Sequence, residues 1–285
     1  MVHPGLNDSD ILPLPDTCVV VPDAAVGAAV RAFIWRDSGA EGLVHLNRFP
    51  AAPFCTITWC LAGRLFLGAS VDGPMLDRVI VGGPGSRPML TAATGRLHAF
   101  TVVFFPDAFA RLTGLSPGTL IDRLVPAHEV LPAYWYGLLR DIAGAADHPE
   151  RVRRLTRFVA DRCDAAPCGV EGTKGTASLS WLHGLRRRID ASLLCERQVE
   201  RRIKRETGQT LRSLQCSGRF EAAVLKARDA KRNGVLSWAG LAGETGYADQ
   251  SHICREFRKM SGITPARLID PDNGDESFWI YRYWK

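Results

Sequence analysis

The 285-residue chain is 46% hydrophobic and 23% charged with a net charge of +6, ordinary proportions for a globular protein with room for two domains that each bury a core. No apolar run approaches membrane-spanning length, and Met1–Pro22 lacks a basic stretch followed by an apolar one, so a cytoplasmic protein without membrane association is expected. In that setting the eight cysteines are reduced thiols rather than a disulfide framework.

In chain order, the first hundred residues read as strands and turns. The stretches 54–61 and 98–105 are rich in β-branched and aromatic residues and partly alternate, with turn punctuation between them at 62–63, 72–74, 82–85 and 94–95. A small barrel or sandwich is expected. Trp35, Trp59 and Phe100 read first as core residues of such a fold, with the lining of a ligand cavity as the alternative. Gly82–Arg87 is glycine-rich but lacks the Lys-Ser/Thr ending of a phosphate-binding loop, and reads as a surface turn.

After Pro106 the pattern turns helical. Asp107 is expected to cap a helix carrying Phe109 and Leu112, and two amphipathic helices follow over 134–145 and 150–163. That pair has two open roles, subunit pairing or packing on the barrel. Residues 165–178, with Pro167 and several glycines, read as a linker. The expected division is therefore an N-terminal domain of strands followed by helices at 1–164, the linker at 165–178, a helical domain at 179–269, and an aromatic tail at 270–285. The tail, with Phe278, Trp279, Ile280 and Tyr281, is too apolar for open water. It is expected to dock on the N-terminal domain or on a second subunit, or else to be disordered.

The helical domain carries the net charge, with 20 Lys and Arg against 13 Asp and Glu over 178–285, whereas 1–177 holds 16 against 17. Within it, Gly246–Lys259 reads as the turn and second helix of a helix-turn-helix. Gly246 supplies the positive φ of a tight turn, and Asp249 is the N-cap. Ile253 and Phe257 form an i, i+4 buried pair, leaving Gln250, Ser251, Cys254, Arg255 and Arg258 outward. A weaker copy precedes it over 195–208: Val199 and Ile203 are its buried pair, and Arg197, Glu200, Arg201 and Lys204 face out. Between the copies, Leu211–Ala230 reads as one helix about 30 Å long, close to the roughly 34 Å turn of B-DNA.

Glu196-Arg197-Gln198 with Arg201, then Glu206-Thr207-Gly208, Arg219-Phe220-Glu221, and Gly246-Tyr247 through Gly262-Ile263-Thr264-Pro265 together resemble the DNA-binding module of the AraC/XylS family of bacterial transcription regulators. The resemblance covers about residues 179–268. It implies an α+β chain with a cupin-like N-terminal β-barrel followed by helices, and a C-terminal all-α domain of two helix-turn-helix subdomains joined by a long helix. It further implies DNA contacts by Arg197, Glu200 and Arg201 from the first unit, and by Gln250, Ser251, Cys254 and Arg255 from the second. The implied partners are double-stranded DNA, RNA polymerase as the target of activation, a small-molecule effector and a second subunit. Gln and Arg suit adenine and guanine edges on chemical grounds alone. Glu200 could accept from cytosine or simply pair with Arg201 or Lys204.

The first unit departs from the family pattern: Leu193 stands where a turn glycine is usual, and Cys195 replaces the usual Ser or Thr cap. Arg186, Arg187 and Arg188 before it suit phosphate contact or a solvated face. No catalytic residue, cofactor or metal site is expected, because the seven histidines are scattered and no cysteine spacing matches a zinc site. Cys163 and Cys254 have two open readings, redox sensing or plain small buried residues. A second class of function also stays open, an enzymatic or ligand-binding N-terminal domain to which the DNA module is an accessory.

Overall fold

The computed structural model describes residues 16–38, 44–163, 177–190, 195–270 and 275–282. It begins with an antiparallel sheet of β1 (Asp16–Val20), β2 (Val30–Asp37), β3 (Val44–Phe49), β4 (Cys55–Leu67), β5 (Val79–Gly82), β6 (Met89–Phe104) and β7 (Leu124–Pro126). The order is β1-β2-β6-β4-β5-β7, with β3 pairing the first half of β6. β4 and β6 run together through most of their length, and bulges between Cys60 and Arg64 bend the pair.

Alternation along the strands sorts side chains to two sides. On one, Phe33, Ile57, Trp59, Phe100, Val102 and Phe104 pack in a buried cluster with Phe109, Leu112, Leu138, Ile142, Leu155 and Val159. These come from α1 (Pro106–Thr113), α3 (Tyr136–Ala143) and α4 (His148–Ala160), with the short α2 (Ala127–Val130) leading into α3. The Trp59 indole N–H donates to the Leu139 carbonyl at 3.1 Å. The helix pair therefore spends its apolar faces on the sheet. Arg151 lies between the two helices, donating to the carbonyls of Ile142 and Ala145, and so closes the end of α3.

Asp107 is not the cap of α1. The N-cap is Phe105, with Pro106 in the first turn, a position where the missing N–H costs nothing. Asp107 is instead 2% exposed and accepts from the Trp181 indole at 2.8 Å, from Arg188 at 2.7 Å and from Arg111 at 2.9 Å. Arg188 is thereby committed to the N-terminal domain, which removes it from the set of arginines suited to phosphate.

The helical part comprises α5 (Ala177–Asp190), α6 (Glu196–Thr207), α7 (Leu211–Arg232), α8 (Trp238–Glu244), α9 (Gln250–Ser261) and α10 (Pro265–Ile269), and the tail ends in α11 (Trp279–Arg282). Trp181, Leu185, Ile189, Val199 and Ile203 of the first unit belong to the same buried cluster as the sheet and its helices. Phe220, Val224, Leu241, Ile253, Phe257 and Met260 form a separate core around α7, α8 and α9. The anomalous Leu193 and most of the expected linker lie outside the described residues.

Candidate nucleic-acid interface and the cavity of the sheet

In the second unit, Ser237 caps α8 by accepting the Gly240 N–H at 3.3 Å. The turn follows with Gly246 at φ 77°, a backbone conformation that favours glycine. Asp249 then caps α9, its carboxylate accepting the His252 N–H at 2.7 Å. Ile253 and Phe257 are fully buried, and the Phe257 ring meets Phe220 edge-on at 4.9 Å. That packing fixes the rotation of α9. Gln250, Ser251, Arg255 and Arg258 are exposed on its outer side, with Cys254 half-buried at the edge. Glu256, the helix's own carboxylate, is turned inward beside Arg219 at 3.7 Å. No acid therefore interrupts the outer face.

In the first unit, α6 starts at Cys195. The Gln198 side chain accepts the Cys195 N–H at 3.0 Å, supplying the returning half of a capping box. Val199 and Ile203 are buried, and Arg197, Glu200, Arg201 and Lys204 are exposed. Glu200 makes no ion pair with Arg201 or Lys204 among the described residues, so the local pairing weighed for it is not formed. Arg202, one position on, is tied to Glu206 at 2.8 Å. At the other end of α6 a Cβ on Gly208 would come within 2.6 Å of the Gly118 nitrogen, a close approach that locks α6 against the N-terminal domain.

The two outward faces share one electrostatic property. Among the described residues, Arg197, Arg201, Lys204, Arg255 and Arg258 have no ion-pair partner. Elsewhere Arg31, Arg96, Arg111, Arg188 and Arg219 are each paired with a carboxylate, whereas exposed Arg64, Arg140 and Arg157 are not, so what marks α6 and α9 is the gathering of such groups on one face of each helix. Unpaired guanidinium groups on an exposed helix face are what phosphates and guanine edges require.

The other side of the sheet borders a partly open cavity of about 260 Å³. Ile34, Phe49, Leu65, Ile80, Leu97 and Val103 give it an apolar lining. Trp35, Trp59 and Phe100 do not line it, because the alternation of β2, β4 and β6 turns them to the helix-covered side. Gly82 and Gly83 do line it. The stretch beginning at Gly82 is accordingly packed rather than a surface turn: a Cβ on Gly83 would collide with the Leu120 carbonyl at 2.0 Å.

The tail docks. Asp275 caps a short turn, Glu276–Phe278, by accepting the Ser277 N–H at 2.9 Å. Trp279 then donates to Asn47 of β3 at 2.9 Å, and Arg48 donates to Ser277 at 3.1 Å.

One pair escaped the sequence reading. His98 and His148 bring their Nε2 atoms to 2.9 Å, with Trp35 stacked on His148 at 4.7 Å. Desolvation, reinforced by His98 and Arg151, pushes His148 down to about 4. Desolvation also lowers His98. Fifty residues separate the two, so no spacing motif signals them. No group of three or more His, Cys, Asp or Glu side chains able to hold a metal is present among the described residues, and no described helix is long and apolar enough to cross a membrane.

No protein-family model matches the chain, and no curated protein matches it. Among solved structures it is similar to ToxT from Vibrio cholerae O395, at 10% identity and a TM-score of 0.35 over 80% of this chain and 96% of that one. The same protein bound to (E)-4-(8-methylnaphthalen-1-yl)but-3-enoic acid gives 9% identity and a TM-score of 0.36 over 80% and 97%. Unsaturated-fatty-acid-bound wild-type ToxT from V. cholerae strain SCE256 gives 11% and 0.34 over 80% and 94%.

Proposed function

We propose that this chain is a DNA-binding transcription regulator of the AraC/XylS type, reading two major-groove segments with α6 and α9. The observation that carries this reading is the set of five unpaired basic side chains on the exposed faces of two helices whose opposite faces are buried. The connector α7 is 22 residues long, about 33 Å at about 1.5 Å per residue, which suits two recognition helices one turn of DNA apart. Arg197, Arg201 and Lys204 serve the first segment, with Glu200 available to a cytosine. Gln250, Ser251, Cys254 and Arg255 serve the second, and Arg258 meets the backbone.

Residues 1–164 act as the sensing and pairing part, and residues 179–269 as the reader. A small molecule in the sheet's cavity is the effector, and RNA polymerase is the target of activation in the cytoplasm. Arg255→Ala should weaken binding to a selected DNA site by about 1–3 kcal/mol while leaving binding to random duplex nearly intact. Titration of both duplexes checks this, and equal loss on the two removes Arg255 from base reading.

A further inference from the structure

The chemistry of the cavity and the identity of its outermost wall go further. Most of its polar side chains are engaged within the protein, while Arg87, at the rim, is largely exposed and 3.9 Å from Asp122. Asn47 donates to Thr91 at 3.2 Å and accepts from Trp279, and Thr58 and Thr101 share a hydrogen bond at 3.0 Å. Arg31 is paired with Glu221 of α7, and Arg36 with Glu276 and Thr17. Among the described residues no Asp, Glu, Lys or His lines the space, and its charged groups are Arg31, Arg36 and Arg87. A charged ligand seated in the apolar interior would have to shed its water and break the Arg31 or Arg36 pair to find a partner there, which is costly, and Arg87 is within reach only at the rim. A neutral apolar molecule gains from burial alone. The volume of about 260 Å³ lies just under the usual range of roughly 300–1,000 Å³ for ligand pockets, so the molecule is small.

Most of the cavity wall is hydrogen-bonded strand, but the tail supplies Trp279 and Ile280. Trp279 is 7% exposed and clusters with Ala32, Ile34 and Val103. It meets Phe49 edge-on at 6.1 Å and lies under the Arg36 guanidinium at 5.1 Å. Its neighbours Phe278 and Tyr281 point the other way, into the core of the second helix-turn-helix, and Arg228 of α7 donates to the Tyr281 carbonyl at 3.0 Å. Four consecutive residues thus face two sites: the cavity and the reader. The tail walls the cavity without filling it.

We propose that the cavity binds a small uncharged apolar molecule, and that residues 276–281 are its movable wall, sealing the ligand in and carrying its occupancy to the second helix-turn-helix. This rests on the reading of the cavity as an effector site. N-phenyl-1-naphthylamine and its sulfonated analogue, 8-anilinonaphthalene-1-sulfonate, share an anilinonaphthalene skeleton and differ in charge. Titrated against the full chain, the neutral probe should bind one to one and at least about tenfold more tightly than the sulfonate. Equal or tighter binding of the sulfonate overturns the uncharged class. Ala99→Trp, which fills the cavity from β6, should abolish probe binding without lowering the melting temperature; binding that persists places the probe elsewhere and overturns the site.

Trp279→Ala should speed dissociation of the neutral probe at least about tenfold, and Trp279→Phe should restore most of the retention. In the wild type the probe should also slow amide exchange across residues 276–282, a protection lost in Trp279→Ala. Unchanged kinetics, or tighter binding in Trp279→Ala, overturns the wall. Failure of the wild type to bind the neutral probe at all defeats the effector reading itself, which separates the two failures.

Discussion

The two helix-turn-helix units use the same i, i+4 apolar pair to different ends. In the second, Ile253 and Phe257 close a core with α7 and α8, and that core draws on the N-terminal part for Ala51 alone. In the first, Val199 and Ile203 enter the cluster that already holds the sheet and its helices, and Asp107 and Gly118 fasten α5 and α6 from the N-terminal side. The second unit is largely self-contained. The first is built into the N-terminal domain, so any rearrangement of that domain reaches α6 directly.

Core truncations should break this comparison most strongly. Phe257→Ala should cost about 3–5 kcal/mol and raise amide exchange in α7, α8 and α9 while the sheet stays protected. Ile203→Ala should cost about 2–5 kcal/mol and raise exchange in α6 together with α1. Loss of protection confined to α5 and α6 would show that the first unit is as self-contained as the second.

Capping differs in the same sense and with smaller effects. Asp249→Ala removes a bond that α9 makes at 2.7 Å and should lower stability by about 1 kcal/mol. Cys195→Ser should raise it by a fraction of that, because Gln198 already supplies half of the box at α6. Denaturant midpoints of the two variants check the signs.

Acid should separate the N-terminal domain from the second helix-turn-helix more gently still. His148 has a folded pKa of about 4 against an ordinary 6.5, so between those values the unfolded chain binds more protons than the folded one. Its contribution is present in full above about pH 6.5 and is lost as the pH falls toward 4. His148→Gln should flatten the pH dependence of α4 protection over that window and leave α9 unaffected.

The second unit was legible in the sequence because its determinants are local: a glycine at positive φ, an Asp cap and a short apolar period. The order of sheet, helices and reader was legible for the same reason. What sequence reasoning missed depends on strand register and long-range contact. Alternation alone does not say which side of β2, β4 and β6 the helices cover, so core and cavity both stayed open for Trp35, Trp59 and Phe100; the core reading holds, with Trp59 and Phe100 buried under the helices and Trp35 packed against them, while Ile34, Leu97 and Val103 line the cavity. Asp107 reads as a cap because caps are local, whereas its partners Trp181 and Arg188 lie more than seventy positions away. The tail's apolar run signalled docking, but Asn47, 232 positions earlier, was invisible as its acceptor.

The central claim is that two helices read one face of a duplex. Dimethyl sulfate protection reports guanine N7 in the major groove, and the test uses DNA selected from a random pool by the full chain. Two protected segments centred about 10–10.5 base pairs apart are predicted, one fading in Arg255→Ala and the other in Arg201→Ala. A single protected segment, untouched by Arg201→Ala, would contradict the account.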